Sequence, residues 1–108
     1  MINFEEFKKL DLRVAKVIEA EKIKDSKNLL RLQIDLGEGK RQILAGIAQF
    51  YQPKDLIGRE IIVIANLEPK ILFGLESQGM LLAAEDGKQK EPILLRPEKE
   101  VPPGTKIC

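Results

Sequence analysis

Histidine and tryptophan are both missing from this 108-residue chain, and cysteine occurs once, at Cys108. Without imidazole no side chain ordinarily titrates near neutrality, so Ser–His and Cys–His nucleophile pairs and His-ligated metal sites are excluded. One thiol makes neither an internal disulfide nor a cysteine-ligated zinc site, and such usage fits a reducing compartment. The glycines form neither a G-x-G-x-x-G nor a G-x-x-x-x-G-K-[ST] loop, so the usual phosphate cradles of nucleotide enzymes are lacking. No apolar run is longer than Ile61 to Ala65, far short of the roughly 20 residues that cross a bilayer. Met1-Ile2-Asn3-Phe4-Glu5-Glu6 has no basic start followed by an apolar stretch, so no secretory signal is expected. These absences predict a cytoplasmic protein with no membrane span, no metal and no cofactor; chemistry by carboxylates alone stays open, but no pair stands out, and no catalytic centre of its own is expected.

Net charge is scarce too, at +1 from 18 basic and 17 acidic residues. A polyanion partner would therefore have to be held by a local basic cluster. The hydrophobic fraction of 44% and charged fraction of 32% describe a globular chain. Its length allows a single domain, residues 1–108, with one core.

The first element reads as a short helix. Asn3 caps it, Glu6 completes a capping box, and the helix ends near Leu10-Asp11. Phe4, Phe7 and Leu10 share its apolar stripe, which must pack either on its own domain or on another subunit, because a helix this short is unstable alone. From Leu12 the pattern alternates as in a strand, with Leu12, Val14, Ile18 and Ala20 on one face and Arg13, Ala15, Val17 and Glu19 on the other. Lys16 interrupts the apolar face, and a bulge or a barrel rim would account for it. Leu30, Leu32, Ile34 and Leu36 alternate with Arg31, Gln33 and Asp35 in a second strand, which turns through Gly37-Glu38-Gly39-Lys40 into Arg41 to Ala45. Pro53 to Ile57 reads as one helical turn. Glu60 to Ala65 reads as a strand buried on both sides, Asn66 to Gly79 as a long loop, and Met80 to Ala84 as a fifth strand. Ile93-Leu94-Leu95 and a proline-rich tail complete the chain.

Three strands, a helical connection and two more strands give an all-β expectation: a five-stranded OB-fold Greek-key barrel with a short N-terminal helix and an additional C-terminal segment. Such barrels bind oligonucleotides on strands 2 and 3, framed by the loops after strands 1 and 4. Lys22, Lys24 and Lys27 in the first loop, followed by Arg31 and Arg41, read either as a track for phosphates or as part of a mixed-charge surface with Glu21, Asp25, Asp35 and Glu38. In the second loop Lys70, Phe73, Ser77 and Met80 combine a cation, an aromatic, a hydroxyl and a flexible apolar group, which suits an unstacked base. Phe73 and Met80 serve equally well as core filler.

Asp11-Leu12-Arg13-Val14, Ala45-Gly46-Ile47-Ala48, Asn66-Leu67-Glu68-Pro69 and Gly74-Leu75-Glu76-Ser77-Gln78-Gly79-Met80-Leu81-Leu82-Ala83-Ala84 occur in this order and together resemble the tRNA-binding domain family. That family includes free-standing tRNA-binding proteins, C-terminal domains or β subunits of methionyl-tRNA synthetases, and endothelial-monocyte-activating-polypeptide domains. The resemblance implies a homodimeric OB fold that binds tRNA by shape, without reading the anticodon, and assists aminoacylation beside a catalytic synthetase subunit. It places Arg41, Ser77 and Met80 on tRNA, with Arg31, Lys27, Asn28 and Lys70 at or near basic positions of the family; Lys27 and Lys70 are each displaced by one residue. It assigns Phe4, Phe7, Leu10 and the segment after Glu91 to the dimer interface. The alternatives implied by the same fold are an export-related chaperone that binds extended polypeptide and a protein–protein adaptor.

Overall fold

The computed structural model describes residues 1–108. Its helices are α1 (Phe4–Phe7) and α2 (Pro53–Leu56). The strands are β1 (Leu12–Lys22), β2 (Leu30–Asp35), β3 (Lys40–Ala45), β4 (Glu60–Ile64), β5 (Lys70–Leu72), β6 (Leu75–Ser77), β7 (Met80–Leu81), β8 (Ala83–Glu85) and β9 (Pro92–Leu94). The main sheet runs β3-β2-β1-β4-β7, all antiparallel, and curls until β3 meets β6 and β7, giving a nearly closed five-stranded OB-type barrel. No helix is long and apolar enough to cross a membrane.

β1 serves two neighbours. Leu12 to Lys16 pair with Ile64 to Glu60 of β4, and Lys16 to Lys22 pair with Asp35 to Leu30 of β2. Where β2 has ended, the C-terminal tail takes its place beside the first half of β1. The Val14 amide donates to the Thr105 carbonyl (2.9 Å), and the Ile107 amide donates to the Leu12 carbonyl (2.8 Å). This edge-filling needs glycine at the crossing: Gly104 has φ +90, and a Cβ there would sit 2.1 Å from the Leu36 carbonyl oxygen.

A bulge between Val17 and Glu19 reverses the alternation that the sequence suggests for β1. Ala15 and Val17 enter the barrel core, and the extra residue, Ile18, lets Ala20 pack on that core too. Leu12 and Val14 are buried outside the main core cluster, Val14 directly opposite Ile62. The core itself combines Leu30, Leu32 and Ile34 of β2, Ile43 of β3, Leu56 of α2, and Ile61 and Val63 of β4. The unbroken apolar run of β4 is thus buried on both faces, as expected.

The capping box of α1 forms as read: the Glu6 amide donates to Asn3 Oδ1 (2.9 Å) and the Asn3 amide to Glu6 Oε1 (3.3 Å). The helix is shorter than expected and ends at Phe7. Two further expectations change. The segment Asn66 to Gly79 contains a hairpin, β5–β6, whose two-residue turn places Phe73 at φ 51 and Gly74 at φ 76, the signature of a type I′ turn. Its Phe-Gly pair lacks the Asn-Gly signal by which such turns are read, and holding a bulky aromatic there costs on the order of 1 kcal/mol. The expected fifth strand divides at Leu82: Met80–Leu81 continue the barrel beside β4, and Ala83–Glu85 leave it to pair with β9.

Closure between β3 and the β6–β7 stretch combines a main-chain bond with side-chain bonds. The Gln78 amide donates to the Gln42 carbonyl (2.9 Å), Gln42 Nε2 donates to the Glu76 carbonyl (2.9 Å), and the Leu44 amide donates to Ser77 Oγ (3.0 Å). Ser77 Oγ in turn donates to the Gly79 carbonyl (3.1 Å), and the residue is 7% exposed. Replacing Ser77 by Ala strands the Leu44 amide, so a loss of about 1–3 kcal/mol is expected. Thermal unfolding followed by far-ultraviolet circular dichroism should show a midpoint lowered by several degrees, and an unchanged midpoint would mean that the seam does not need this hydroxyl.

Candidate nucleic-acid interface

The register of the β2–β3 hairpin determines which side chains share a face. Arg31 pairs with Leu44, and Gln33 with Gln42, so these four occupy the outer face of the sheet. Arg41 pairs with Ile34, a core residue, and so belongs to the inner face, at an end of the barrel. The strands therefore do not bring Arg31 and Arg41 together as a single track.

Both guanidinium groups have partners within the chain. Arg31 Nε donates to Glu21 Oε1 (2.6 Å) and Arg31 Nη2 to Glu19 Oε2 (3.2 Å), while its side chain is only 17% exposed. The hydrogen bond to Glu21 raises the Arg31 pKa; partial burial opposes this and Glu19 adds to it. The β1 bulge builds this fork, since it leaves Glu19 and Glu21 on the outer face directly across from Gln33 and Arg31. Arg41 Nη1 donates to the Ala65 carbonyl, tying the start of β3 to the end of β4. Arg13 is likewise engaged: Nε donates to Asp11 Oδ1 (2.8 Å), and that hydrogen bond raises its pKa.

The lysines contrast with these arginines. Lys27 in the first loop and Lys70 on β5 are exposed, and neither forms an ion pair. Asn28, beside Lys27, accepts from Gln49 Nε2 at Oδ1 (2.6 Å) and from the Ala48 amide at its carbonyl (2.9 Å), fixing the end of the first loop to the segment after β3. Leu29 follows and turns into a cleft of about 320 Å³. The opposite wall is the β5–β6 hairpin, and Lys70, Leu72, Ser77 and Met80 all line the cleft. Three sequence-predicted residues, Lys70, Ser77 and Met80, thus meet at one place. Met80 is 44% exposed there, while its backbone pairs with Ile64.

The cleft also uses residues that sequence reasoning did not single out: Leu29, Leu44, Leu67 and Leu72. Leu72 was hidden in a hairpin that the sequence disguised as a loop, whereas Leu29, Leu44 and Leu67 come from three other parts of the chain that only the fold brings together. Phe4, Phe7 and Leu10 meet elsewhere, in a shallow groove with Ile107 and Cys108. Phe4 is 69% exposed and Leu10 42% exposed. Chemically, this cleft offers an apolar floor and an ammonium, Lys70, that forms no ion pair, with the carboxylate of Glu68 also on its lining. These features suit a ligand with flat apolar surfaces and anionic charge, and no group of three or more acidic or cysteine side chains is placed to hold a metal ion.

Comparison with known proteins agrees with this geometry. Residues 12–106 match the family described as Putative tRNA binding domain. The chain is 57% identical over 107 residues to methionine–tRNA ligase of Methanothrix thermoacetophila, covering 99% of this chain and 16% of that protein. It is 55% identical over 106 residues to the ligase of Thermotoga maritima, covering 98% of this chain and 16% of that protein. Among solved structures, a MetRS related protein from Pyrococcus horikoshii superimposes with a TM-score of 0.93 at 39% identity, covering 100% of this chain and 98% of that one. The chaperone CsaA from Bacillus anthracis gives 0.89 at 40% identity, covering 100% and 99%. The chain corresponds to a small part of the ligases it matches and to nearly the whole of these two solved structures. Its barrel topology, its cleft and a match running from the start of β1 into the C-terminal tail together establish that the chain belongs to the tRNA-binding domain family and is homologous to a segment of methionine–tRNA ligases.

Proposed function

We propose that this chain binds tRNA through its folded shape, independently of the anticodon, and assists aminoacylation in the cytoplasm as a C-terminal domain or β subunit of a methionyl-tRNA synthetase, contributing no catalytic step itself. The observation that carries this reading is the meeting of Lys70, which forms no ion pair, with the exposed Met80 at an apolar cleft. Phosphates meet the lysines and a base or ribose meets the apolar floor. Lys27, outside the cleft lining, offers a second exposed ammonium on the first loop, and Asn28 holds the end of that loop. Ser77 acts from beneath, by fixing the chain on which Met80 stands. Arg41 contributes charge at the barrel end, and Arg31 contributes only to a ligand that can share it with Glu19 and Glu21.

A second reading is favoured by the likeness to CsaA chaperones: the same cleft would take an extended polypeptide. Equilibrium binding to folded tRNA across a salt series, with an unstructured polypeptide and a single-stranded RNA of equal length as competitors, separates the two. Salt-sensitive binding that only folded tRNA displaces supports the tRNA reading; displacement by the polypeptide alone, or no tRNA binding, overturns it. Lys70→Ala and Arg41→Ala should each weaken binding and reduce the salt slope by about one, as for loss of one phosphate contact. An unchanged slope with a lowered melting temperature would make Arg41 a purely structural tie.

The dimer belongs to the same proposal. Phe4, Phe7 and Leu10 leave a groove beside Ile107, and Ile93 and Leu95 expose further apolar surface on the C-terminal segment. A twofold partner that buries these surfaces would remove them from water. Phe7→Asp should convert the dimer to a monomer in light scattering, whereas a monomeric unmodified chain removes the claim.

A further inference from the structure

The β5–β6 turn carries a cost without a visible structural return. Two-residue type I′ turns favour Asn, Asp or Gly at their first position because both central residues need positive φ. Here that position is Phe73, at φ 51, followed by Gly74 at φ 76. A buried ring would offset the strain through packing, yet Phe73 is 58% exposed and lies outside the core cluster and its packed neighbours. The hairpin does not need the ring for its own footing, because Leu72 and Leu75 pair and are both half-buried, Leu72 at the cleft. No cation of this chain stands over it; the only cation–ring contact is Lys8 on Phe4. Strain at the exposed tip of a hairpin whose strands wall a candidate site points to function rather than to stability.

We propose that Phe73 is a stacking platform for one unstacked nucleobase of the bound RNA. The proposal rests on the tRNA reading above and adds a contact to it. A rigid two-residue turn presents the ring with little freedom left to lose on binding, and a ring face accepts any base without reading its hydrogen-bonding edge. Lys70, three residues earlier on the same hairpin, is exposed and unpaired, in position to take the phosphate backbone that carries such a base. This division of labour, a fixed π-face at the tip and an ammonium at the base, recognises an RNA with a base turned out of its helix; a regular duplex has none to offer.

Three variants of the full chain test it with unfractionated folded tRNA as the probe. Phe73→Asn creates the Asn-Gly pair that the turn favours, so the melting temperature should rise while tRNA affinity falls by about fivefold to a hundredfold, the range expected for a lost base stack. Phe73→Leu, apolar but without a π-face, should lose affinity as well. Phe73→Trp should retain affinity, and because the chain has no other tryptophan its emission reports this one position. That emission should be quenched in step with the binding isotherm. If Phe73→Asn lowers the melting temperature, the ring is packing on its own protein and the proposal falls. Binding by Phe73→Asn within twofold of the unmodified chain, or unquenched Phe73→Trp emission at saturation, overturns it equally. Failure of the unmodified chain to bind tRNA would instead remove the underlying reading, so the two failures are distinct.

Discussion

The barrel closes across a gap that backbone ladders alone do not fill. Between β3 and the β6–β7 stretch, the Gln42 amide side chain and the Ser77 hydroxyl supply acceptors and donors where a continuous strand would have supplied main-chain groups. Arg41 adds a further tie to Ala65. Hydrogen bonds of this kind are directional and expensive to leave unmade in a buried place, so they determine how close the two edges lie. The width of that gap determines the cleft, whose wall and floor include Leu44, Ser77 and Met80. Closing the fold and shaping the candidate interface are the same event.

Charge is distributed by the same economy. With net charge +1, the molecule has no excess field to steer a polyanion, and three of its five arginines, Arg13, Arg31 and Arg41, are engaged with carboxylates or carbonyls. Among the cations that form no ion pair are Lys27 on the first loop and Lys70 on the hairpin, both exposed to a phosphate. Carboxylates interleaved with the cations, Glu19 and Glu21 around Arg31 and Glu68 beside Lys70 at the cleft, would discourage indiscriminate coating by nucleic acid and favour a ligand whose contours match the rim.

Much of the fold was legible in the residues. Alternation in β2, the unbroken apolar run of β4 and the Asn3–Glu6 box each report a local rule obeyed locally. The failures have equally local causes. A single extra residue at Ile18 exchanged the faces of β1, which alternation cannot reveal without the partner strand. The β5–β6 hairpin was hidden because Phe-Gly stands where Asn-Gly would have announced a turn. Lys70, Ser77 and Met80 could be grouped from the sequence because they flank one short hairpin and the strand that follows it. The engagement of Arg31 with Glu19 and Glu21 could not, since it depends on strand register and on the bulge together.

Tyr51 is the sole tyrosine, and its hydroxyl donates to the Pro92 carbonyl (3.0 Å) while accepting from the Leu94 amide (3.3 Å). It thereby ties the connection after β3 to β9, outside the main sheet. In a chain without tryptophan, the tyrosine signal is therefore a local spectroscopic probe of whether the β8–β9 ribbon is seated, whereas the amide signal averages over the whole barrel. Coincidence of the two during unfolding would mark the ribbon as part of one cooperative unit, and separation would mark it as a latch that can lift while the barrel stays folded.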